Sequence, residues 1–403
     1  MVKLFPKKIK MTQNLKFTEK ELVQDIQEYE EPHWMKEKRL SALELFNSLP
    51  FPEFRYGITI NLNPSELNFS EINLPEKKLI ALPKDNTIVI ENLSEALIHH
   101  EDLVKKHFLS CFPTLGKFEA LHTLLWNKGV FIYVPKNTVI KTPIKLIDSN
   151  DNFEFQHNII IVDENSSISI FEEESSNNTE KSYKTKITEI FVNNNSNLNY
   201  GSFQNLSQNT INFSTKRALV HQNANINWIN FDLGGKLTKS ETITKLEKEG
   251  ANTNVFNLFF TNNNQQFDLS SSIFHNSKHT KSDMAVRGAL DNKSKVIING
   301  LVKIAENASN SNGYQKQDAL LLSQDAEIDP IPNLEIDNND VKCSHGTTVS
   351  KLDKEKLFYL KSRGIPEDKA SKLMIKGFFD PIIRKIKLKE ARKDLRKAIS
   401  LKL

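Results

Sequence analysis

Cys343 and His345, two positions apart, are the residues best suited to chemistry in this 403-residue chain. If their segment is a β-strand, residues i and i+2 point to the same side, so the thiol and the imidazole project together. Thiolate and imidazole are the ligand types of zinc and iron–sulfur sites, which use about four protein ligands. The segment offers two, so it predicts half of a metal site, with the other ligands supplied from elsewhere, including from a second chain. The alternative is that Cys343, close to Val341, is a small apolar residue of a core.

Other catalytic signatures are incomplete. His99-His100-Glu101 resembles part of a zinc-binding helix, but the residue that should return a second ligand to the same face is Val104. A pair of surface histidines is the better interpretation. A carbohydrate-active enzyme would need clustered carboxylates, and no such cluster is visible in the sequence, although this class stays open. Cys111 is isolated and is predicted to be a core thiol.

The amino-acid composition limits the kinds of partner that the chain is expected to bind. Lys and Arg number 54 against 50 Asp and Glu, a formal charge of +4, which is far from the basic excess of a nucleic-acid-binding protein. Two distant cysteines give no disulfide framework and favour a reducing compartment. The first residues lack the apolar stretch of a signal peptide, and nowhere do 18 apolar residues run together. We therefore expect a cytoplasmic protein that contacts neither nucleic acid nor membrane.

The elements that position Cys343 and His345 are indicated by a repeat in the asparagine-rich middle of the chain. A four-residue phrase recurs there, made of a turn-forming residue, a small residue, a polar residue and usually a β-branched or aliphatic one. From residue 136 to residue 250 the steps between copies are 29, 30, 28 and 27 residues. The copies are Lys136–Val139, Asn165–Ile168, Asn195–Leu198, Asn223–Ile226, Gly250–Thr253, Lys293–Val296 and Asp325–Ile328.

Each phrase precedes an alternation of apolar and polar residues, as in Ile226–Phe231, which is strand periodicity with turn chemistry before it. A fixed period of this length predicts a solenoid whose coils stack at about 4.8 Å and share one apolar interior. Asparagine suits its corners, because it tolerates left-handed backbone angles and stacked copies can form side-chain ladders. A β-sandwich is the rival fold.

Helical ends are predicted to flank a β-helix core. Residues 1–120 form a mixed N-terminal cap, with a helix after Glu31-Pro32-His33 that Pro50-Phe51-Pro52 stops, and another over Ser94–Phe108. Residues 121–350 form the core. Residues 351–403 form a C-terminal helical domain.

Capping and helix-breaking residues in the C-terminal domain predict three helices. Asp353 caps the first and Gly364 follows its end; Pro366 opens the second and Gly377 follows its end; Asp380-Pro381 opens the third. Residues 381–403 carry nine Lys or Arg and two Asp or Glu. This basic helix either packs on its own domain or docks on a partner protein, with membrane-surface binding a weaker alternative.

Several segments of the sequence resemble the SufB/SufD family of iron–sulfur cluster assembly scaffolds, and the SufD branch in particular. The resemblance spans nearly the whole chain and is weakest from 55 to 115, where Phe54–Gly57 departs from the family's Trp-Arg-Tyr-Thr. The matching segments are Asp340–Gly346, Leu357–Leu360, Ser362–Ile365, Pro332–Ile336, Gly129–Pro135, Glu31–Trp34 and Leu49–Pro52.

The resemblance implies a right-handed parallel β-helix between helical ends, in a non-catalytic scaffold. It implies a heterodimer with SufB, a homodimer in isolation, and an ATPase, SufC, bound to the C-terminal helices. It places His345, and Cys343 with it, at the SufB interface, where they contact iron of a transient cluster. The expected SufC-binding residues are Leu357, Phe358, Tyr359, Arg363, Gly364 and Phe378. A SufB-like paralogue is the alternative identity.

Overall fold

The computed structural model describes residues 19–50, 72, 76–111, 116–149, 153–177, 179–386 and 389–402. Of the predicted features, Phe51-Pro52 and Phe54–Gly57 lie outside these residues. The N-terminal part contains α1 (Glu19–Glu28), α2 (His33–Ser48), β1 (Val89–Asn92), α3 (Leu93–His99), α4 (Glu101–His107) and α5 (Lys117–Leu125). No helix in the described part of the chain is long and apolar enough to cross a membrane.

The centre is a parallel β-solenoid, as predicted, made of two sheets that alternate along the chain. Sheet A contains, after the antiparallel β1, β2 (Val130–Val134), β4 (Phe153–Val162), β6 (Ser182–Val192), β8 (Thr210–Val220), β10 (Leu237–Leu246), β12 (Gln266–His275), β14 (Lys295–Ile304) and β16 (Glu327–Ile336). Sheet B contains β3 (Ile144–Ser149), β5 (Ser167–Ser175), β7 (Asn197–Asn205), β9 (Asn225–Asp232), β11 (Asn252–Thr261), β13 (Lys281–Leu290), β15 (Asn312–Leu321) and β17 (Lys342–Lys351).

The corners confirm the predicted role of asparagine. Asn137, Asn165, Asn195 and Asn223 all have a positive φ, between 52° and 60°. The side-chain amide of Asn165 donates to Asn137 Oδ1 at 3.0 Å, and that of Asn195 donates to Asn165 Oδ1 at 3.1 Å. The later phrases at 293 and 325 precede β14 and β16, on the other sheet. Each coil therefore has two corners, and the phrase moves from one to the other, which explains why the period breaks after 250.

Replacing Asn195 with alanine is expected to lower the free energy of unfolding by about 1–2 kcal/mol, because an alanine β-carbon is strained in the left-handed region. Asn195→Gly loses the same ladder bond but accepts the backbone angle, so it should cost less. Equilibrium urea unfolding of both variants makes the comparison. Equal losses would mean that the ladder, and not the backbone angle, is what matters at this corner.

The helical ends cover the outer faces of the two sheets. Apolar residues of α2, α3 and α5 pack with Phe155, Ile187 and Ile211 on the outside of sheet A. Residues of α7 (Glu367–Ile383) and α8 (Lys389–Lys402) pack with Phe231 and Phe260 on the outside of sheet B. The N-terminal helices therefore lie on one flank and the C-terminal helices on the other.

Three predicted helix boundaries were wrong. The helix expected over Ser94–Phe108 is two helices, α3 and α4, separated at His100, whose φ of −131° is not helical. The second C-terminal helix does not end at Gly377, and the third does not begin at Asp380-Pro381; α7 continues through both. Phe379, Ile382 and Ile383 are buried against sheet B, so this packing outweighs the local breakers.

The predicted bounds of the first C-terminal helix are confirmed. Asp353 accepts hydrogen bonds from the backbone N–H groups of Glu355 and Lys356 at the start of α6 (Lys354–Ser362), and Gly364 beyond its end has a φ of 81°. In the basic last helix, Leu395, Ala398 and Ile399 are buried. One face of this helix therefore packs within the chain, against α7 and sheet B, and docking of a partner on its exposed basic face stays a prediction.

Candidate functional site

Cys343 and His345 lie on β17, the last strand of the solenoid, in register with Gly313 and Gln315 of β15. Paired residues of neighbouring parallel strands face the same side, and Gly313 and Gln315 are both buried in the interior. The two side chains therefore project together along the interior row, as predicted from their spacing. A β-carbon on Gly313 would lie 3.2 Å from Cys343 Sγ, so the thiol stacks on the row beneath it.

This end of the solenoid is open. In the described part of the chain no strand lies beyond β16 in sheet A or beyond β17 in sheet B. The interior-facing residues of this last coil are accordingly exposed or only half-buried, unlike their counterparts one coil earlier. They are Ile328, Pro330, Pro332, Leu334 and Ile336 on β16, and Cys343, His345, Thr347 and Val349 on β17. His345 is exposed and Cys343 is half-buried.

The two edge strands of the open end differ in their backbone donors. The N–H of Lys342 donates to Ser311 O, so the even-numbered residues of β17 pair with β15 and the odd-numbered ones point to the open edge. On β16 the N–H of Glu327 donates to Ser294 O, so here the even-numbered residues point outward. Two of these are Pro330 and Pro332, which have no N–H. The β17 edge is therefore suited to pairing with another strand, whereas the β16 edge is interrupted.

Cys343 and His345 differ in their chemistry. Cys343 packs beside Val302, Leu334 and Val341, and this burial raises the pKa of its thiol, although the N–H of Ser344 acts in the opposite direction. The thiol is thus protonated at neutral pH and is a weak ligand in this state. His345, by contrast, is exposed, so its imidazole is accessible to a metal ion without rearrangement of the chain.

The described residues contain no group of three His, Cys, Asp or Glu side chains that could hold a metal ion. The origin of ligands additional to Cys343 and His345 therefore stays a prediction. His99 and His100 lie near the surface beside Glu91, at 3.2 and 3.7 Å. Cys111 is buried, as predicted, and burial together with Glu189 raises the pKa of its thiol.

The residues expected to bind a partner ATPase are divided by the fold. Helix α6 buries none of its residues, and Phe358 and Tyr359 are 73% and 57% exposed. Arg363 stacks on the Tyr359 ring at 5.2 Å, and Leu357 and Gly364 lie on the same helix and at its end. Phe378 lies apart from them on α7. Its ring contacts the Arg287 guanidinium and its carbonyl oxygen accepts from Arg287 Nη1.

A buried ion network inside the first coils was missed by the sequence analysis. Lys184 Nζ lies 2.9 Å from Asp148, 3.5 Å from Glu154 and 3.7 Å from Glu174, and all four side chains are almost fully buried. Lys186 pairs with Glu172 and Glu174, and Lys128 with Asp148 and Glu154. The available signal was the i, i+2 spacing of like charges, Lys184 with Lys186 and Glu172 with Glu174, which puts each pair on one side of a strand.

This network corrects the expectation that the chain has no carboxylate cluster on adjacent coils. The cluster exists, but it points into the solenoid. Its carboxylates are at most 7% exposed and the ion pairs hold them to lysines, so a polysaccharide chain could not reach them. The network therefore gives no support to a carbohydrate-active enzyme.

Comparison with known proteins gives a consistent result. The family model described as the SufBD core domain of SUF-system FeS cluster assembly matches residues 145–378, and the model of the SufBD protein N-terminal region matches residues 68–146. Iron–sulfur cluster assembly SufBD family proteins of Staphylococcus haemolyticus and Staphylococcus epidermidis are each 30% identical to this chain, over 408 and 412 residues. Each alignment covers 90% of this chain and 88% of the relative.

Proposed function

Because the chain belongs to the SufBD family of the SUF iron–sulfur cluster assembly system, we propose that it is a non-catalytic scaffold subunit of that system. In this proposal the open end of the solenoid pairs with SufB, the C-terminal helices bind the ATPase SufC, and iron and sulfide are the cargo. The observation that carries the proposal is the position of His345 and Cys343 at the open end, on the last interior row.

The open end supports pairing with another solenoid. A stack of coils that stops without a cap exposes apolar interior residues, including Ile336 and Val349, each 43% exposed, together with unpaired strand edges. A second solenoid presents the matching features, so apposition of two such ends covers both interiors. The β17 edge supplies the backbone donors for strand pairing, since Pro330 and Pro332 interrupt the β16 edge. Without SufB, the same edge of a second copy is the available partner, so we expect a homodimer in isolation.

The proposed cluster site is shared between the two subunits. This chain contributes His345 as the accessible ligand, and Cys343 as a second ligand whose thiol loses its proton when iron binds. The remaining ligands come from SufB, in line with the absence of a complete ligand group among the described residues. Such a site forms only in the heterodimer.

Helix α6 connects the proposed SufC-binding region to the strand that carries His345. Its first residue, Lys354, is nine positions after His345, and β17 between them is held in the sheet by β15 alone. Movement of α6 when SufC subunits dimerise on ATP binding would therefore act directly on the strand that carries His345. The two states are a closed and a reshaped SufB interface, with ATP as the switching ligand.

Anaerobic co-expression with SufB and SufC tests the proposal. We expect a stable complex that gains sulfide-bound iron, while the chain expressed alone is a metal-free homodimer. Size-exclusion chromatography, with iron and acid-labile sulfide analysis of each peak, provides the measurement. A metal-free monomer that binds neither SufB nor SufC would contradict the proposed scaffold function.

Replacing Phe358 and Tyr359 together with serine is expected to weaken SufC binding at least tenfold, because exposed aromatic anchors carry much of the energy of an interface. Calorimetric titration of SufC into each purified variant measures the effect. Ile98→Ser, at an exposed apolar position of the N-terminal helix α3, is the matched control. These substitutions are preferable to truncation after Ser350, since loss of α7 and α8 would uncover the apolar outer face of sheet B. Unchanged affinity in the double variant would place SufC elsewhere.

A further inference from the structure

A buried glutamine lies directly beneath His345. Gln315 is the register partner of His345 on the preceding strand, and its side chain is fully buried. Its Nε2 donates to the backbone carbonyl of Asn333 at 2.8 Å. Because a carbonyl can only accept, this bond fixes the orientation of the amide, with nitrogen toward β16 and oxygen in the interior.

The amide oxygen of Gln315 is a buried acceptor with no donor. Among the described residues no hydrogen bond reaches Oε1. Buried acceptors in folded proteins are nearly always satisfied, because leaving one without a donor costs free energy. Gln315 Oε1 is therefore an unused hydrogen-bond acceptor at the base of the open end.

Gly300, on the opposite sheet, makes room for this amide. A β-carbon at position 300 would lie 2.2 Å from Gln315 Oε1 and 2.6 Å from Gln317 Nε2. Any other residue at 300 would push the amide away from its place. The space below His345 is thus built by a glycine on β14 and two glutamines on β15.

We propose that Gln315 is a positioning residue for His345: its Oε1 accepts the imidazole N–H and leaves the other ring nitrogen unprotonated at the open end. The register pairing of residues 315 and 345 puts both side chains on the same interior row, one strand apart, so the imidazole is within side-chain reach of the amide. In a histidine that binds a metal, the second ring nitrogen commonly donates its N–H to a fixed acceptor of this kind, which sets the tautomer. The proposal rests on the proposed function for the identity of the cargo, but the hydrogen bond itself does not.

Ring nitrogen chemical shifts of His345 in the full-length ¹⁵N-histidine-labelled chain test the proposal. The signal is identified among the ten histidines by its loss in His345→Asn. We expect one dominant tautomer in the native chain and a change of at least twofold in the tautomer ratio in Gln315→Leu, which removes the acceptor. Gly300→Ala, which displaces the amide without altering Gln315, should act like Gln315→Leu.

Gln317→Leu is the matched control, since Gln317 lies in register with Thr347 and not with His345. Far-UV circular dichroism establishes that each variant is folded. An unchanged tautomer ratio in both Gln315→Leu and Gly300→Ala would overturn the proposal, whatever the role of His345 in assembly. Full cluster yield in the His345→Ala and Cys343→Ala complexes alike would instead remove the proposed ligand role and leave the tautomer result standing.

Discussion

Replacing Lys184 with methionine is expected to destabilise the chain by about 3–5 kcal/mol, the usual cost of removing one partner from a buried ion pair. Lys184 is fully buried and lies within 4 Å of Asp148, Glu154 and Glu174. Burial disfavours its charge, but the three carboxylates outweigh burial and raise the pKa of Lys184. Methionine fills a similar volume, so the loss is chiefly electrostatic. Chemical unfolding at pH 7 measures it.

The deficit of the Lys184→Met variant should depend on pH. Burial alone would raise the pKa of Asp148, yet Lys184 and Lys128 lower it to about 2, below its value in the unfolded chain. This carboxylate therefore contributes stability that is present above about pH 4 and lost as the pH falls toward 2. Removing Lys184 removes part of that contribution. The difference in stability between variant and native chain should be largest near neutral pH and shrink on acidification.

Lys145→Met is the matched control for this prediction. Lys145 pairs with Glu173 at 2.8 Å on the outside of sheet B, where the two side chains are 45% and 29% exposed. An ion pair of this kind contributes about 1 kcal/mol or less. Equal destabilisation by the two substitutions would mean that the interior network is hydrated and not the low-dielectric site described here.

Replacing His345 with alanine is expected to reduce the cluster yield of the complex with SufB and SufC at least tenfold. Loss of a residue that merely orients a metal ligand already costs about 10–100-fold, and His345 is proposed as a ligand itself. Anaerobic reconstitution, followed by iron and acid-labile sulfide analysis, measures the yield. Co-purification of SufB with the variant distinguishes a lost ligand from a lost interface.

Two neighbouring substitutions sharpen the His345 test. Cys343→Ala should lower the yield less than His345→Ala, because Cys343 is half-buried and its raised thiol pKa means that iron binding must also displace a proton. Ser344→Ala should have no effect, since Ser344 faces away from the interior row. Full yield with His345→Ala and Cys343→Ala alike would refute the claim that this chain supplies cluster ligands.

The solenoid could be predicted because its signals are local. Left-handed asparagines such as Asn165 and Asn195 define corners, and alternation of apolar and polar residues defines strands, within a few residues of each other. The same locality made the capping of α6 by Asp353 predictable. Local signals gave the wrong helix boundaries at Gly377 and Pro381, because burial of Phe379 and Ile382 against a sheet distant in sequence keeps α7 helical.

The placement of Cys343 and His345 on one side of a strand was determined by the sequence itself, because side-chain direction alternates with period 2 in any strand. That their strand is the last of the stack, and that nothing in the described chain covers it, was decided only by the tertiary structure. The C-terminal helices could have capped this end, but α7 and α8 bury their apolar faces on the flank of sheet B instead. That choice depends on contacts between segments far apart in sequence, and it leaves His345 accessible at an open end.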